Sequence, residues 1–475
     1  MNVPLPQLPL TRRQMLRGAA SGFGYLAFAA LAAQAAEADR KGQVSAIATP
    51  PPGMPEHFTS PLAPKQPHFK ARAKRVIFLF MQGAPSHVDT FDYKPELNAN
   101  DGKAWTRGHL LASPWKFKNY GHSGIPISDL FPNVAKHADN LCVINSMHTD
   151  NPAHPQATVQ LHTGSAQFVR PSMGAWVLYG LGTVNQNLPG FITINPPGAV
   201  GGAENYGSGF LPASYEGTRV GGAELIPNIA SKLATPAQRR QLDLIQSMNK
   251  EMLARSGDNA QIEGVIESYE LGFRMQSTVP QVMDLSKESK QTLEMYGIEG
   301  DGARGASGTS TFGRQCLMAR RLAESGVRFI EVAHTGWDQH TNLQAKHTQN
   351  AEAVDKPVAA LLADLKQRHM LDDTLVIFGG EFGRTPYAQN TDGRDHNNKG
   401  YSMWLAGGGV KGGLRYGATD EVGYKAEVNP VHVHDLHATV LALLGLDHEK
   451  LTYRYAGRDF RLTDVHGNVV KEIMV

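Results

Sequence analysis

Cysteine is nearly absent: the chain carries 2 in 475 residues. Cys142 sits in the apolar run Leu141-Cys142-Val143-Ile144, and Cys316 in the helical pattern Gln315-Cys316-Leu317-Met318-Ala319. Both read as small buried hydrophobes. Neither fits a nucleophile or thiolate-ligand pattern, and no structural disulfide is needed. An excess of one charge is also missing. Lys and Arg number 46 against 44 Asp and Glu, for a formal net charge of +2. The two signs are interspersed, and no basic stripe is interleaved with aromatics, which argues against a nucleic-acid partner. A membrane span is lacking too. About 20 strongly apolar residues are needed to cross a bilayer, and the Ala- and Gly-rich stretch from Ala19 to Ala33 is shorter and only weakly apolar.

That stretch has another reading. It follows Thr11-Arg12-Arg13-Gln14-Met15-Leu16-Arg17, a twin-arginine export motif, and precedes the small-x-small site Ala33-Gln34-Ala35. Basic head, short apolar centre and small-residue exit make a signal peptide. The expectation is a signal peptide over 1–36 that engages the twin-arginine translocase. The mature chain is then periplasmic or extracellular, with no stable membrane span. Residues 37–72 are rich in Pro, Ala and Lys around Pro50-Pro51-Pro52-Gly53, as in a linker or surface arm.

From residue 73 onward strand and helix patterns alternate. Arg75-Val76-Ile77-Phe78-Leu79-Phe80-Met81 is a continuous apolar run, as a strand buried on both faces requires. Leu141–Asn145, Phe191–Ile194, Val327–Val332, Thr374–Phe378 and Tyr401–Ala406 are further strands. Helices are expected from Pro155 to a Gly164 cap, over Gly313–Gly326, Thr348–Arg368 and His434–Leu444. Few glycines and long charged, aliphatic stretches mark a helical insertion at about 226–297, with helices at Pro236–Ser256 and Ile262–Met275. Gly302–Thr311 is Gly/Ser-rich and reads as mobile. The pattern predicts an α/β fold with a doubly wound, mainly parallel sheet.

Acids and histidines gather next to these strands. Trp337-Asp338-Gln339-His340 follows the Val327 strand, and Gly379-Gly380-Glu381-Phe382-Gly383-Arg384 follows Thr374–Phe378. Arg394-Asp395-His396-Asn397 precedes Tyr401. Ligands of open α/β sheets bind beyond the carboxyl ends of the strands, and such oxygen and nitrogen donors suit divalent metals. Asp338, His340, Glu381, Asp395 and His396 are therefore candidate metal ligands. Arg384 is a candidate clamp for an anion and a candidate partner of a structural Arg-Glu ion pair; both can hold at once. The first loop adds Asp89 as a candidate ligand, with His87 and Asp92 beside it. His148, Asp150 and His154 sit where a strand hands over to a helix N-terminus; His154 is a candidate nucleophile or proton shuttle. His432, His434 and His437 form a further cluster, which a capped helix start explains equally well.

The order of these pieces resembles the alkaline phosphatase and sulfatase superfamily. His154-Pro155-Gln156-Ala157-Thr158-Val159-Gln160-Leu161-His162-Thr163-Gly164 is similar to the sulfatase nucleophile motif. Asp435-Leu436-His437-Ala438-Thr439, running on to Leu444-Gly445, looks like the late helix of that superfamily. More closely, the chain resembles the exported family called domain of unknown function 1501. Phe80-Met81-Gln82-Gly83-Ala84-Pro85-Ser86-His87-Val88-Asp89-Thr90-Phe91-Asp92, Gly380-Glu381-Phe382-Gly383-Arg384-Thr385-Pro386 and Arg394-Asp395-His396-Asn397 carry that likeness, which covers nearly all of the chain after residue 73. The resemblance implies one alkaline-phosphatase-like domain over 73–475 and a divalent metal: zinc, manganese, magnesium or calcium. It implies hydrolysis of an anionic phosphate or sulfate ester, carried by a small molecule or a polysaccharide. An inactive binding or assembly protein of the same fold is the alternative, and a metal-dependent isomerase or mutase a weaker one. Three departures stand out: Gln82 occupies the place of the first-strand Asp, His154 that of the nucleophile, and Glu381-Phe382 that of a late Asp-His pair.

Overall fold

The chain divides into two units, Met1–Phe58 and Thr59–Val475. The computed structural model describes residues 60–221, 229, 231, 233–257, 259–298 and 308–475, all in the second. The twin-arginine motif, the cleavage site and the Pro-rich centre of the linker lie outside the described residues. The end of the linker is tied to the folded body: Lys65 N–H donates to the Leu181 carbonyl and Arg72 N–H to that of Leu443, at 2.9 and 2.8 Å.

The elements that position the site are, in chain order, β1 (Arg75–Met81), β2 (Leu141–His148), α1 (His154–Thr163), α2 (Met173–Leu181), β3 (Phe191–Ile194) and β4 (Thr218–Val220). Then come α3 (Thr235–Ser256), α4 (Ala260–Met283), α5 (Gly308–Glu324), β5 (Phe329–His334), α6 (Leu343–Gln367) and β6 (Thr374–Gly379). The last group is β7 (Gly383–Gln389), β8 (Gly393–Asn397), β9 (Tyr401–Ala406), β10 (Leu414–Tyr416), β11 (Val431–His432) and α7 (Val433–Leu443).

The fold is α/β, as the alternation predicts. One mixed sheet runs β10-β2-β9-β6-β1-β5-β3-β4, with β11 paired to β2. Residues 76–81 of β1 are all buried, so both faces of the sheet are covered. Strands β6, β1, β5, β3 and β4 are parallel. The sheet departs from a parallel layout at β9, which is antiparallel to both β6 and β2. Consequently β9 begins at the edge where its neighbours end. The register makes that edge flush: Met81 lies opposite His334, Phe80 opposite Gly379, and Tyr401 opposite Met147.

In the expected insertion, α3 and α4 are long helices joined by the bidentate Arg239–Glu270 pair. Gly308–Thr311, read as mobile from its composition, instead opens α5, whose Phe312, Cys316 and Leu322 are buried. The rest of that glycine-rich stretch lies outside the described residues.

Candidate metal centre

Four loops leave the flush edge. Gly83 makes the first two fit together. Its φ is +104°, and a Cβ there would lie 2.8 Å from the Asp338 nitrogen. Only glycine combines that backbone with so close an approach. The loop after β5 is thereby brought against the loop after β1. From β2 the chain crosses residues 149–153 to His154, the first residue of α1. The β7–β8 hairpin, which precedes the antiparallel β9, returns His396 to the same place.

There His154, Asp338, His340 and His396 converge, each offering one ligand atom within 4.8 Å of the others. Asp338 Oδ1 lies 3.2 Å from His154 Nε2, 2.8 Å from His340 Nε2 and 3.3 Å from His396 Nε2. The opposite nitrogen of every ring is already held. His154 Nδ1 bonds Glu381 Oε1 at 2.6 Å, His396 Nδ1 bonds the Pro152 carbonyl at 2.6 Å, and His340 Nδ1 bonds Gln389 Oε1. With an acceptor at each Nδ1, a neutral ring keeps its proton there and turns its Nε2 lone pair to the centre. This is how outer partners fix metal-binding histidines. The donor set of three imidazoles and one carboxylate fits a divalent cation.

Electrostatics agree with the geometry. Burial alone would lower the His154 pKa, but hydrogen bonds to Asp338 and Glu381 outweigh it and raise it to about 9. Burial likewise opposes ionisation of Asp338; His154, His396 and the Arg384 guanidinium nevertheless hold it far below the usual carboxylate range. Asp338 and Glu381 thus favour a positive charge at His154, which a proton or a metal cation can supply.

Most of the other candidates stand around this cluster, not in it. Asp89 is not among the converging groups. It is fully buried and pairs both oxygens with Arg394, at 2.7 and 3.0 Å, while Ser86 Oγ donates a third bond at 2.5 Å. Arg384 is fully buried and engaged on several sides. Its donors go to Asp338 and to the carbonyls of Gly83, Ala84 and Arg394, which makes it a buried brace. Glu381 stands behind His154 rather than in the cluster, accepting the Gly83 N–H at 3.0 Å as well. Asp395 turns back to accept its neighbour's N–H, from His396 at 2.8 Å. His154 belongs to the converging set, with Nδ1 held by Glu381 Oε1 and Nε2 facing Asp338 Oδ1 at 3.2 Å.

The remaining histidines have local explanations. His434 and His437 donate to the carbonyls of Gly164 and Leu161, satisfying the last turn of α1. His87 bonds the Gly423 carbonyl, and Asp92 pairs with Lys94. Asp150 pairs with His432, and His148 packs on the His432 ring. The sequence reading missed Gln389 and the Pro152 carbonyl. Nothing local marks either, because only the hairpin register and the 149–153 crossing bring them to the rings.

A family model described as Protein of unknown function (DUF1501) matches residues 73–474. The chain belongs to this family. No curated protein matches it. Among solved structures it is similar to the PsFucS1 sulfatase from Pseudoalteromonas sp., with 14% identity over 80% of this chain and 69% of that one and a TM-score of 0.37. It is also similar to a protein of the alkaline phosphatase superfamily from Vibrio parahaemolyticus (9% identity, 82% and 70% covered, TM-score 0.37). A third is the C-terminal periplasmic domain of EcEptC from Escherichia coli in complex with Zn (11%, 82% and 88%, TM-score 0.34). At these values the likenesses concern the fold and assign no activity. Among the described residues no helix is long and apolar enough to cross a membrane.

Proposed function

We propose that this chain is an exported, metal-dependent hydrolase of phosphate or sulfate esters. The observation that carries the reading is the convergence of three Nε2 atoms and Asp338 Oδ1, with every Nδ1 fastened from behind. Export rests on the Arg12-Arg13 motif and the apolar stretch after it.

Imidazole-rich sites suit zinc and its neighbours, whereas magnesium and calcium take oxygen shells. Zinc is therefore the metal proposed. When bound it supplies Lewis-acid polarisation of an ester oxygen. The protein's own groups do the rest. Glu381 keeps the Nδ1 proton of His154 in place. Arg384 orients Asp338. The centre is open to solvent on the side of Asp338, whose side chain is 40% exposed, so an ester has access.

One observation favours the second reading, a binding or assembly protein without turnover. Four candidate protein ligands converge, the number that would close the shell of a structural zinc site. Metal analysis of the purified mature protein, paired with turnover assays on aryl phosphate mono- and diesters and aryl sulfates, separates the two. Metal with turnover supports the hydrolase; metal without turnover supports the binding protein. Asp338→Ala should abolish metal binding, and a variant that keeps full metal content overturns the assignment.

A further inference from the structure

A cavity of about 460 Å³ lies beside the segments that carry the centre, lined by His148, Thr149, Asn398, Lys399, Lys425 and Ala426 among others. The two sites share a wall. Thr149 N–H donates to the Asn398 carbonyl at 2.9 Å, Asn398 Nδ2 donates to the Thr149 carbonyl at 2.8 Å, and His396 Nδ1 bonds the Pro152 carbonyl. This stitched pair of segments carries His154 and His396 to the centre and Thr149 and Asn398 to the cavity. Asn398 is two residues from His396, a reach of about 7 Å at most.

The charge of this cavity is one-sided. No carboxylate lines it. Lys399 Nζ lies 5.2 Å over the Tyr424 ring and forms no salt bridge among the described residues; nor does Lys425. Asp420, close to Lys425 in the chain, forms no salt bridge with it. Its oxygens accept the backbone N–H groups of Val422, Gly423, Tyr424 and Lys425. In a chain whose charges nearly cancel, two ammonium groups without carboxylate partners thus stand at one cavity, a favourable place for an anion.

We infer that this cavity is a subsite for a second anionic group, so that the ligand is a polyanionic ester, such as a multiply sulfated or phosphorylated oligosaccharide, rather than an isolated monoester. The inference rests on the ester-hydrolase reading for what happens at the metal, but the subsite itself is tested by binding. Lys399 and Lys425 supply point charges to the second group, which sits on the order of 10 Å from the ester being processed.

The test is isothermal titration of the full mature chain with a dextran sulfate oligosaccharide and with neutral dextran of equal length, at low and high salt. Wild type should bind the sulfated chain only, and less tightly as salt screens the contact. The double variant K399A/K425A should bind about tenfold more weakly or worse, while K399R/K425R keeps the affinity. Both lysines are exposed, and circular dichroism checks that the variants fold. Equal binding of neutral dextran, no binding of the sulfated chain by wild type, or undiminished binding by K399A/K425A overturns the inference. Zinc content, measured on the same samples, reports separately on the centre. Normal zinc with no subsite effect sinks this inference alone; absent zinc sinks the metal reading alone.

Discussion

Two buried carboxylates, Asp89 and Glu381, look alike in the sequence and differ in what they touch. Asp89 faces Arg394, and both side chains are completely buried. Removing one partner of such a pair strands a charge in a low-dielectric interior, at a cost of about 3–5 kcal/mol. Asp89→Ala should therefore lower unfolding stability in urea by that amount, while folded protein still binds one metal. Loss of metal without loss of stability would restore Asp89 as a ligand. Glu381 touches His154 instead. Glu381→Gln leaves an acceptor but removes the charge that fixes the ring proton. Outer-shell changes of this kind weaken metal affinity about 10–100-fold. Competition with a chelator of known affinity measures the effect, and an unchanged affinity would leave Glu381 a purely structural acceptor.

At the scale of the element, α1 is the part that must not shift, since His154 is its first residue. Gly164 ends it in the left-handed conformation at φ 75°, and His434 and His437 from α7 bind its last carbonyls. Its sheet-facing side is held by His162, which pairs with Glu331 of β5 at 3.1 Å, both buried. Burial alone would lower the His162 pKa, but Glu331 and the Thr158 carbonyl outweigh it and raise it above the ordinary 6.5. A pKa raised by folding stabilises fully below the unfolded value and loses that stabilisation as pH climbs through the folded value. Against the double variant H162F/E331L, which removes both charges, the stability advantage of wild type should be larger at about pH 6 than at about pH 9. Urea unfolding at the two pH values measures it; a gap that widens with pH contradicts the assignment of the proton to His162.

For the whole molecule, the centre joins loops from β2, β5, β6 and the hairpin before β9. A cation bound there ties together segments almost 250 residues apart in the chain, from His154 to His396 (396 − 154 = 242). Binding to the native state alone stabilises by about 2.7 kcal/mol at a free concentration of 100 Kd. Zinc should raise the melting temperature of the metal-stripped protein, and chelation should lower it again. No shift on adding zinc would mean that the four donors do not act as one site.

How much of this was legible in the chain can be judged element by element. The apolar run 75–81 determined β1 at both ends, because a strand buried on both faces leaves no polar position. The cap at Gly164 was legible for an equally local reason. Asp338, His340 and His396 stood out because polar groups beside apolar strands have few structural uses. The sequence by itself thus determined that this is an α/β chain with a cluster of candidate ligands at strand ends. Only the tertiary structure decided which ligands meet. Antiparallel β9 sends the residues before it, not after it, to the functional edge, and hydrophobic runs carry no direction. The same packing buried Asp89 against Arg394 and turned Glu381 behind His154, since pairing depends on which loops approach, and that is settled by register across the sheet rather than by neighbours along the chain.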